Sequence, residues 1–204
     1  AMVAPINVTV EEGKGGKVTI SEGEYTSEGF SVDGLNPTDI HPAGICCWHT
    51  GPKRALHEWP NNTFYGSYVA AAYGTESNLK EPYALKNNIN PVVNNTDGSI
   101  VGYKYFDFDG INGKPNVYLL LGMIPQGIEG QIDIYIDRPW TQQGGKCVGT
   151  LKITPDMPQT SAEQPIKLDD VNNLTGKHAV YLLFSSTTKE KSICTLETIR
   201  FFAN

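Results

Sequence analysis

From Ser99 onward the sequence runs through six short segments rich in β-branched and aromatic residues, each fenced by glycine, proline or asparagine. They are Ile100 to Phe108, Val117 to Ile124, Gln131 to Arg138, Cys147 to Ile153, His178 to Phe184 and Ile193 to Phe202. In Gln131-Ile132-Asp133-Ile134-Tyr135-Ile136-Asp137 the isoleucines alternate with polar residues, so one face is buried and the other meets solvent. Glycine (21) and proline (13) together supply one residue in six, which leaves little room for long helices. Strands of this kind in series predict an all-β fold, a two-sheet antiparallel β-sandwich of jelly-roll type.

The first half is less regular. Ile6 to Val10 and Lys17 to Ile20 read as short strands around the flexible Glu11-Glu12-Gly13-Lys14-Gly15-Gly16 turn, forming either a linker or a first hairpin. Residues 1–16 are accordingly taken as an extension or linker and 17–204 as the sandwich. From Asn36 to Thr96 the chain is a long irregular segment, with Ala43 to Trp48 and Ser67 to Tyr73 as its best strands. So long a stretch without periodicity usually carries surface loops with a role. Trp48, Trp59, Tyr65 and Tyr68 lie there, and two of these aromatics could form a pocket.

Hydrophobic residues at 39% and charged residues at 19% are the balance of a folding chain, not a disordered one. The formal net charge of −6 gives no electrostatic footprint for nucleic acid or an anionic membrane. No apolar run approaches the length of a membrane span, and no basic start followed by a hydrophobic stretch marks a signal peptide. The four cysteines, Cys46, Cys47, Cys147 and Cys194, contain no CxxC pair, which argues against structural zinc. They are read as free thiols, with one disulfide as the alternative.

No nucleophile elbow, phosphate loop, HExxH helix or dinucleotide fingerprint occurs. His49 and His57 with Cys46 or Cys47 lack an identifiable orienting group for nucleophilic catalysis. A glycosidase pair could be drawn from Asp107, Asp109, Asp133 and Asp137, although such aspartates more often solubilise a sheet or bind sugars. The aromatic pattern says more. Strict alternation places Tyr135 with Asp133 and Asp137, and Tyr103 and Tyr105 with Asp107. Rings and carboxylates on a common face suit sugars, whose C–H faces stack on rings while their hydroxyls need fixed acceptors. The competing reading has Tyr103 or Tyr105 capping the core. Trp140, in the Pro139–Gly145 hairpin, is expected to be exposed.

His41-Pro42-Ala43-Gly44-Ile45-Cys46-Cys47 and Asp97-Gly98-Ser99-Ile100-Val101-Gly102-Tyr103-Lys104-Tyr105-Phe106-Asp107-Phe108 resemble the module that follows the catalytic domain in some family 43 glycoside hydrolases, the β-xylosidase and arabinofuranosidase group. That module is similar to family 6 carbohydrate-binding modules, whose β-jelly-roll fold is galactose-binding-like. Gly130 to Asp137 with Val148 to Leu151, Gly176 to Phe184 and Thr195 to Phe201 fit its later strands. The resemblance implies a non-catalytic accessory module, with a plant-type polysaccharide such as xylan or arabinoxylan as ligand and a catalytic domain of the same chain as partner. The alternative is a structural module that packs against that domain and binds no sugar. The implied location is secreted, periplasmic or cell-surface.

Family modules place a tryptophan in the loop after the strand matching Leu151 to Ile153; here Thr154 to Gln164 holds no aromatic residue. Their asparagine before the closing strand is also unmatched, near Thr195. That shifts the expected sugar site to Tyr103, Tyr105, Asp133, Tyr135, Asp137 and Trp140. Family modules also hold a structural calcium, and the resemblance assigns its carboxylates to Glu197 with Glu22 and Glu24.

Overall fold

Alternation of apolar and polar residues governs most of the strands. A computed structural model describes residues 8–10, 18–20, 34–51, 67–69 and 90–204, in two compact units, Ala1–Asp33 and Gly34–Asn204. In the first unit Val8–Val10 (β1) pairs antiparallel with Val18–Ile20 (β2), Val8 opposite Ile20.

The second unit contains His41–Pro42 (β3), Trp48–Thr50 (β4), Tyr68–Val69 (β5), Val92–Val93 (β6), Ile100–Asp107 (β7), Val117–Pro125 (β8), Gly130–Ile136 (β9), Lys146–Ile153 (β10), Ala162–Leu168 (β11), Lys177–Ser185 (β12) and Cys194–Ala203 (β13). One sheet has the order β10-β9-β12-β7-β4; the other runs β11-β8-β13-β6-β5, with β3 also on β13. All the pairings between these strands are antiparallel. The fold is the expected all-β sandwich of two sheets.

The core lies between the sheets. Val101, Tyr103 and Phe106 of β7, Ile132, Ile134 and Ile136 of β9, and Val180, Leu182 and Phe184 of β12 face it from one side. Leu119, Leu121 and Met123 of β8 with Leu196, Ile199 and Phe201 of β13 face it from the other. Phe201 sits edge-on between Phe106 and Phe108, with ring centroids 5.1 and 5.3 Å away.

Two elements differ from expectation. Ala43 to Trp48 is not one strand: Ala43–Ile45 forms a 3-10 turn, closed by the Cys46 amide on the Ala43 carbonyl, before β4 begins. Strand β11 lies in a stretch the sequence presents as polar loop, with Pro165 at its middle. Proline is tolerated there because β11 is an edge strand, with one side free of the ladder. Of the expected Ser67 to Tyr73 strand, Tyr68–Val69 is seen and the remainder from Ala70 lies outside the described residues.

The irregular segment is tied to the sandwich by a fully buried asparagine. Asn95 Nδ2 donates to the carbonyls of Val92 and Cys194, each at 3.0 Å, while its Oδ1 accepts from Ser67 Oγ at 2.6 Å. Its own carbonyl takes the Ile193 amide at 2.8 Å. Replacing this side chain removes the partner it gives the Val92 carbonyl and the Ser67 hydroxyl, while the Cys194 carbonyl keeps Ser192 Oγ at 3.1 Å; each buried orphan costs about 1–3 kcal/mol. Asn95→Ala should therefore lose about 2–5 kcal/mol in urea unfolding; a loss within about 0.5 kcal/mol would contradict this role.

Candidate functional site

Register places side chains of the five-stranded sheet in rows on the face turned away from the core. Cys147, Tyr135, Tyr181, Gly102 and Trp48 stand opposite one another across β10, β9, β12, β7 and β4. The next row is Thr150, Asp133, Leu183, Ile100 and Thr50, and beyond it lie Lys152, Gln131 and Ser185. At about 3.3 Å of rise per residue, the Gln131 row is about 13 Å from the Tyr135 row.

Gly102 makes the aromatic row possible. A β-carbon there would stand 2.7 Å from a ring carbon of Tyr181, so the ring lies over bare backbone. Tyr181, only 5% exposed, acts as a floor, and Trp48 meets it edge-on with centroids 5.8 Å apart and planes at 85°. Trp140 meets Trp48 in turn at 6.0 Å and 75°. Trp48 and Trp140 remain 36% and 38% exposed, and Tyr135 is half-buried beside them. Burial first, then the neighbouring Cys147 and Asp133, holds the Tyr135 hydroxyl above its ordinary pKa, so it remains a neutral donor and acceptor.

Asp133 is positioned before any ligand arrives. Its carboxylate accepts Thr150 Oγ1 at 2.7 Å and Gln131 Nε2 at 2.9 and 3.1 Å. Half-buried and fixed in direction, it is an acceptor suited to hydroxyl groups.

Of the residues expected at the site, Asp133, Tyr135 and Trp140 come together on this face. Tyr103 does not: it is 1% exposed, packed in the core, with its hydroxyl donating to the Ala43 carbonyl at 3.1 Å. A bulge breaks the alternation that paired it with Tyr105. Phe106 opposes His178 and Tyr103 opposes Val180, so Lys104 and Tyr105 together face Ala179 alone. Phe106 thereby takes the core position and Tyr105 is exposed, one row beyond Gly102. Asp137 also departs from the row. It follows the end of β9 with φ 63°, and its carboxylate meets His178 Nδ1 at 3.0 and 3.1 Å.

The other candidate carboxylates have structural partners. Asp107 accepts the Asp109 amide at 3.0 Å, and Asp109 accepts the Gly176 amide at 2.8 Å. Cys47 Sγ donates to the Gly102 carbonyl at 3.3 Å, and burial together with Cys47 pushes the Cys46 thiol up to about 11. His49 Nδ1 contacts the Ser67 carbonyl at 2.8 Å. All four cysteines are free, Cys194 buried and Cys47 and Cys147 exposed.

Glu197 is the extra residue of a bulge on β13, 5% exposed, and accepts a hydrogen bond from Ser161 Oγ. Glu22 and Glu24 lie outside the described residues, as do His57, Trp59, Tyr65 and the side chain of Tyr68. Among the described residues no three acidic, histidine or cysteine side chains group as a cation site.

Tyr181 was not legible as a site residue, and Trp48 was legible only as one of four aromatics of the irregular segment that could form a pocket. Trp48 sits on a three-residue strand within irregular sequence, and Tyr181 lies in the continuous apolar run Ala179 to Phe184, where periodicity cannot tell one face from the other. At the far end of the sheet, a cleft of about 500 Å³ is lined by Asp97, Glu129, Gln131, Lys152, Thr154 and Lys189 among others. It takes in Thr154, at the start of the loop that follows β10, and among the described residues no aromatic side chain lines it. Lys189 at 2.8 Å and then the Ser186 amide hold the Asp97 carboxyl below its ordinary range.

No protein-family model and no curated protein matches the sequence. Solved structures do share the fold. A family 43 arabinoxylan arabinofuranohydrolase from Bacillus subtilis, solved with cellotetraose, superposes with a TM-score of 0.59 at 17% identity, over 96% of this chain and 33% of that one. The chain thus spans about a third of that enzyme's length. A β-1,3-glucan-binding family 6 module from Bacillus halodurans gives 0.57 at 14% identity, covering 84% of this chain and all of that one. A family 6 module from Clostridium cellulolyticum in complex with xylose gives 0.54 at 16% identity, over 82% and 99%. The sandwich is therefore of the family 6 carbohydrate-binding type in fold.

Gly102→Ala tests the construction of the face. The new methyl must displace the Tyr181 ring on which Trp48 leans, at a cost of about 1–3 kcal/mol. Tryptophan emission should shift and urea stability should fall; an unchanged spectrum with unchanged stability would contradict the packing.

Proposed function

We propose that the protein is a non-catalytic carbohydrate-binding module whose ligand lies on the outer face of the five-stranded sheet. The observation that carries this reading is the ring set of exposed Trp48 and Trp140 and half-buried Tyr135 beside a carboxylate, Asp133, held by Thr150 and Gln131. Indole and phenol faces desolvate the C–H side of a sugar, while Asp133 and the Tyr135 hydroxyl take up its hydroxyl groups. The relatives in fold are consistent with such a ligand, since one was solved with xylose and another binds β-1,3-glucan. Xylan and arabinoxylan are the first polysaccharides to test. In this reading the module serves a polysaccharide-degrading glycoside hydrolase, keeping a linked catalytic domain near its substrate through modest affinity.

A second reading, packing against a catalytic domain, is favoured by the opposite face. There Phe202 is 44% exposed, with its ring 6.4 Å from that of Tyr118. A sandwich has two outer faces, and the two readings use different ones.

A glycan microarray identifies the ligand, and calorimetry with the matching oligosaccharide measures it. Trp48→Ala and Asp133→Ala should each weaken binding about two- to thirtyfold, as expected for a stacked ring or a charged hydrogen bond worth about 0.5–2 kcal/mol. Tyr103→Phe should leave affinity within about twofold, because a residue sealed in the core cannot touch ligand. Wild-type affinity retained in both Trp48→Ala and Asp133→Ala would refute the face as the site.

A further inference from the structure

Several carboxylates of the sandwich are held by cations, and the one among the rings is held by neutral groups. Lysine or arginine lies 2.7–2.8 Å from Asp97, Asp170 and Glu163 and offsets their charge. The donors on Asp133 are the Thr150 hydroxyl at 2.7 Å and the Gln131 amide at 2.9 and 3.1 Å. Both are neutral, so they direct the carboxylate without offsetting its charge. By register, among the described residues, the nearest cationic side chain is Lys152, the diagonal neighbour of Asp133 at about 7–8 Å. It is Gln131, opposite Lys152, that turns to the carboxylate.

This charge stands at the edge of an aromatic surface. Asp133 and Tyr135 share a face of β9, about 7 Å apart along the strand. Tyr135 stands opposite Tyr181, and Trp48 and Trp140 continue the surface with successive centroids 5.8 and 6.0 Å apart. The Asp133 charge reaches the rings: after burial and Cys147, it is among the causes that hold the Tyr135 hydroxyl above its ordinary pKa. Aromatic faces are themselves the negative side of a quadrupole. Rings and carboxylate therefore contribute a potential of one sign over the same part of the face.

A neutral sugar uses such rings for stacking and the carboxylate as an acceptor, but it gains nothing from that potential. An ammonium group gains from each part. It donates to the carboxylate in a charge-assisted hydrogen bond, roughly twice as strong as a neutral one, and the ring faces attract it within about 6 Å. On a pyranose the amine is one bond from the ring, so a sugar stacked at Tyr135 brings its nitrogen within reach of Asp133. The net charge of −6 adds a general attraction of the same sign.

Building on the carbohydrate-binding reading, we infer that this face prefers amino sugars, with a protonated amine seated between Asp133 and the Tyr135 ring. The ligand class is a glycan carrying free ammonium groups. Its N-acetylated and hydroxyl counterparts match the rings and leave the charge unanswered.

Calorimetry on the whole protein with β-1,4-linked hexamers of glucosamine, N-acetylglucosamine and xylose separates the possibilities, at low salt and about pH 5.5, where the ligand amines are protonated. The glucosamine hexamer should bind at least about fivefold more tightly than either neutral hexamer. Asp133→Asn should abolish that preference, while Asp156→Asn, which removes the same charge from the loop after β10, should preserve it. Equal affinity for all three hexamers, or an equal loss of preference in both variants, would overturn amine recognition and leave carbohydrate binding standing. Absence of binding to all three would overturn the two together.

Discussion

The missing side chain of Gly102 is what the candidate site depends on. With hydrogen at that position the Tyr181 ring comes down onto the sheet, and Trp48, on the neighbouring edge strand, finds an aromatic surface to lean on. Trp140 then leans on Trp48. The assembly spans from the β9–β10 hairpin to the edge strand β4, held by ring contacts outside the core. The core between the sheets is filled by residues such as Leu119, Ile134, Leu182 and Phe201, while the outer face carries the rings and the carboxylate beside a smaller buried cluster of Ile100, Ala179 and Tyr181.

The fold was largely legible because strands read strongly where one face is apolar and the other is not. β9 shows this plainly, with Ile132, Ile134 and Ile136 inward and Gln131, Asp133 and Tyr135 outward, and its site residues fell where alternation placed them. Alternation failed wherever the ladder has a bulge. Between Tyr103 and Phe106 one extra residue exchanges the faces, which sends Tyr103 into the core and leaves Tyr105 at the surface. No local composition announces that insertion, since Tyr-Lys-Tyr-Phe reads equally well in either register. β11 was missed for a related reason. An edge strand with one open side tolerates proline and polar residues, which otherwise signal a loop.

The partners of the site were the least legible part. Trp48 reaches the face through a three-residue strand that follows a 3-10 turn, and Tyr181 was hidden in an apolar run that fits burial on both sides. Both belong to the row only through cross-strand register, a property of pairing between distant segments. The carboxylates tell the same story from the other side. Asp107, Asp109 and Asp137 look like acid–base candidates in sequence, yet each is held by a backbone amide or an imidazole that shapes a turn. Asp133, bound to a hydroxyl and an amide on its own sheet, is the one presented among rings.

Carbohydrate binding on the outer face is tested most directly through the indole N–H resonances of Trp48 and Trp140, assigned by substitution and followed by NMR during titration with xylo- and arabino-oligosaccharides. The account predicts that both indole signals move together with the amides of Asp133 and Tyr135, and saturate with a common Kd. Shifts confined to the Asp97–Lys189 cleft or to the face carrying Phe202, with both indole signals stationary at saturating ligand, would contradict it.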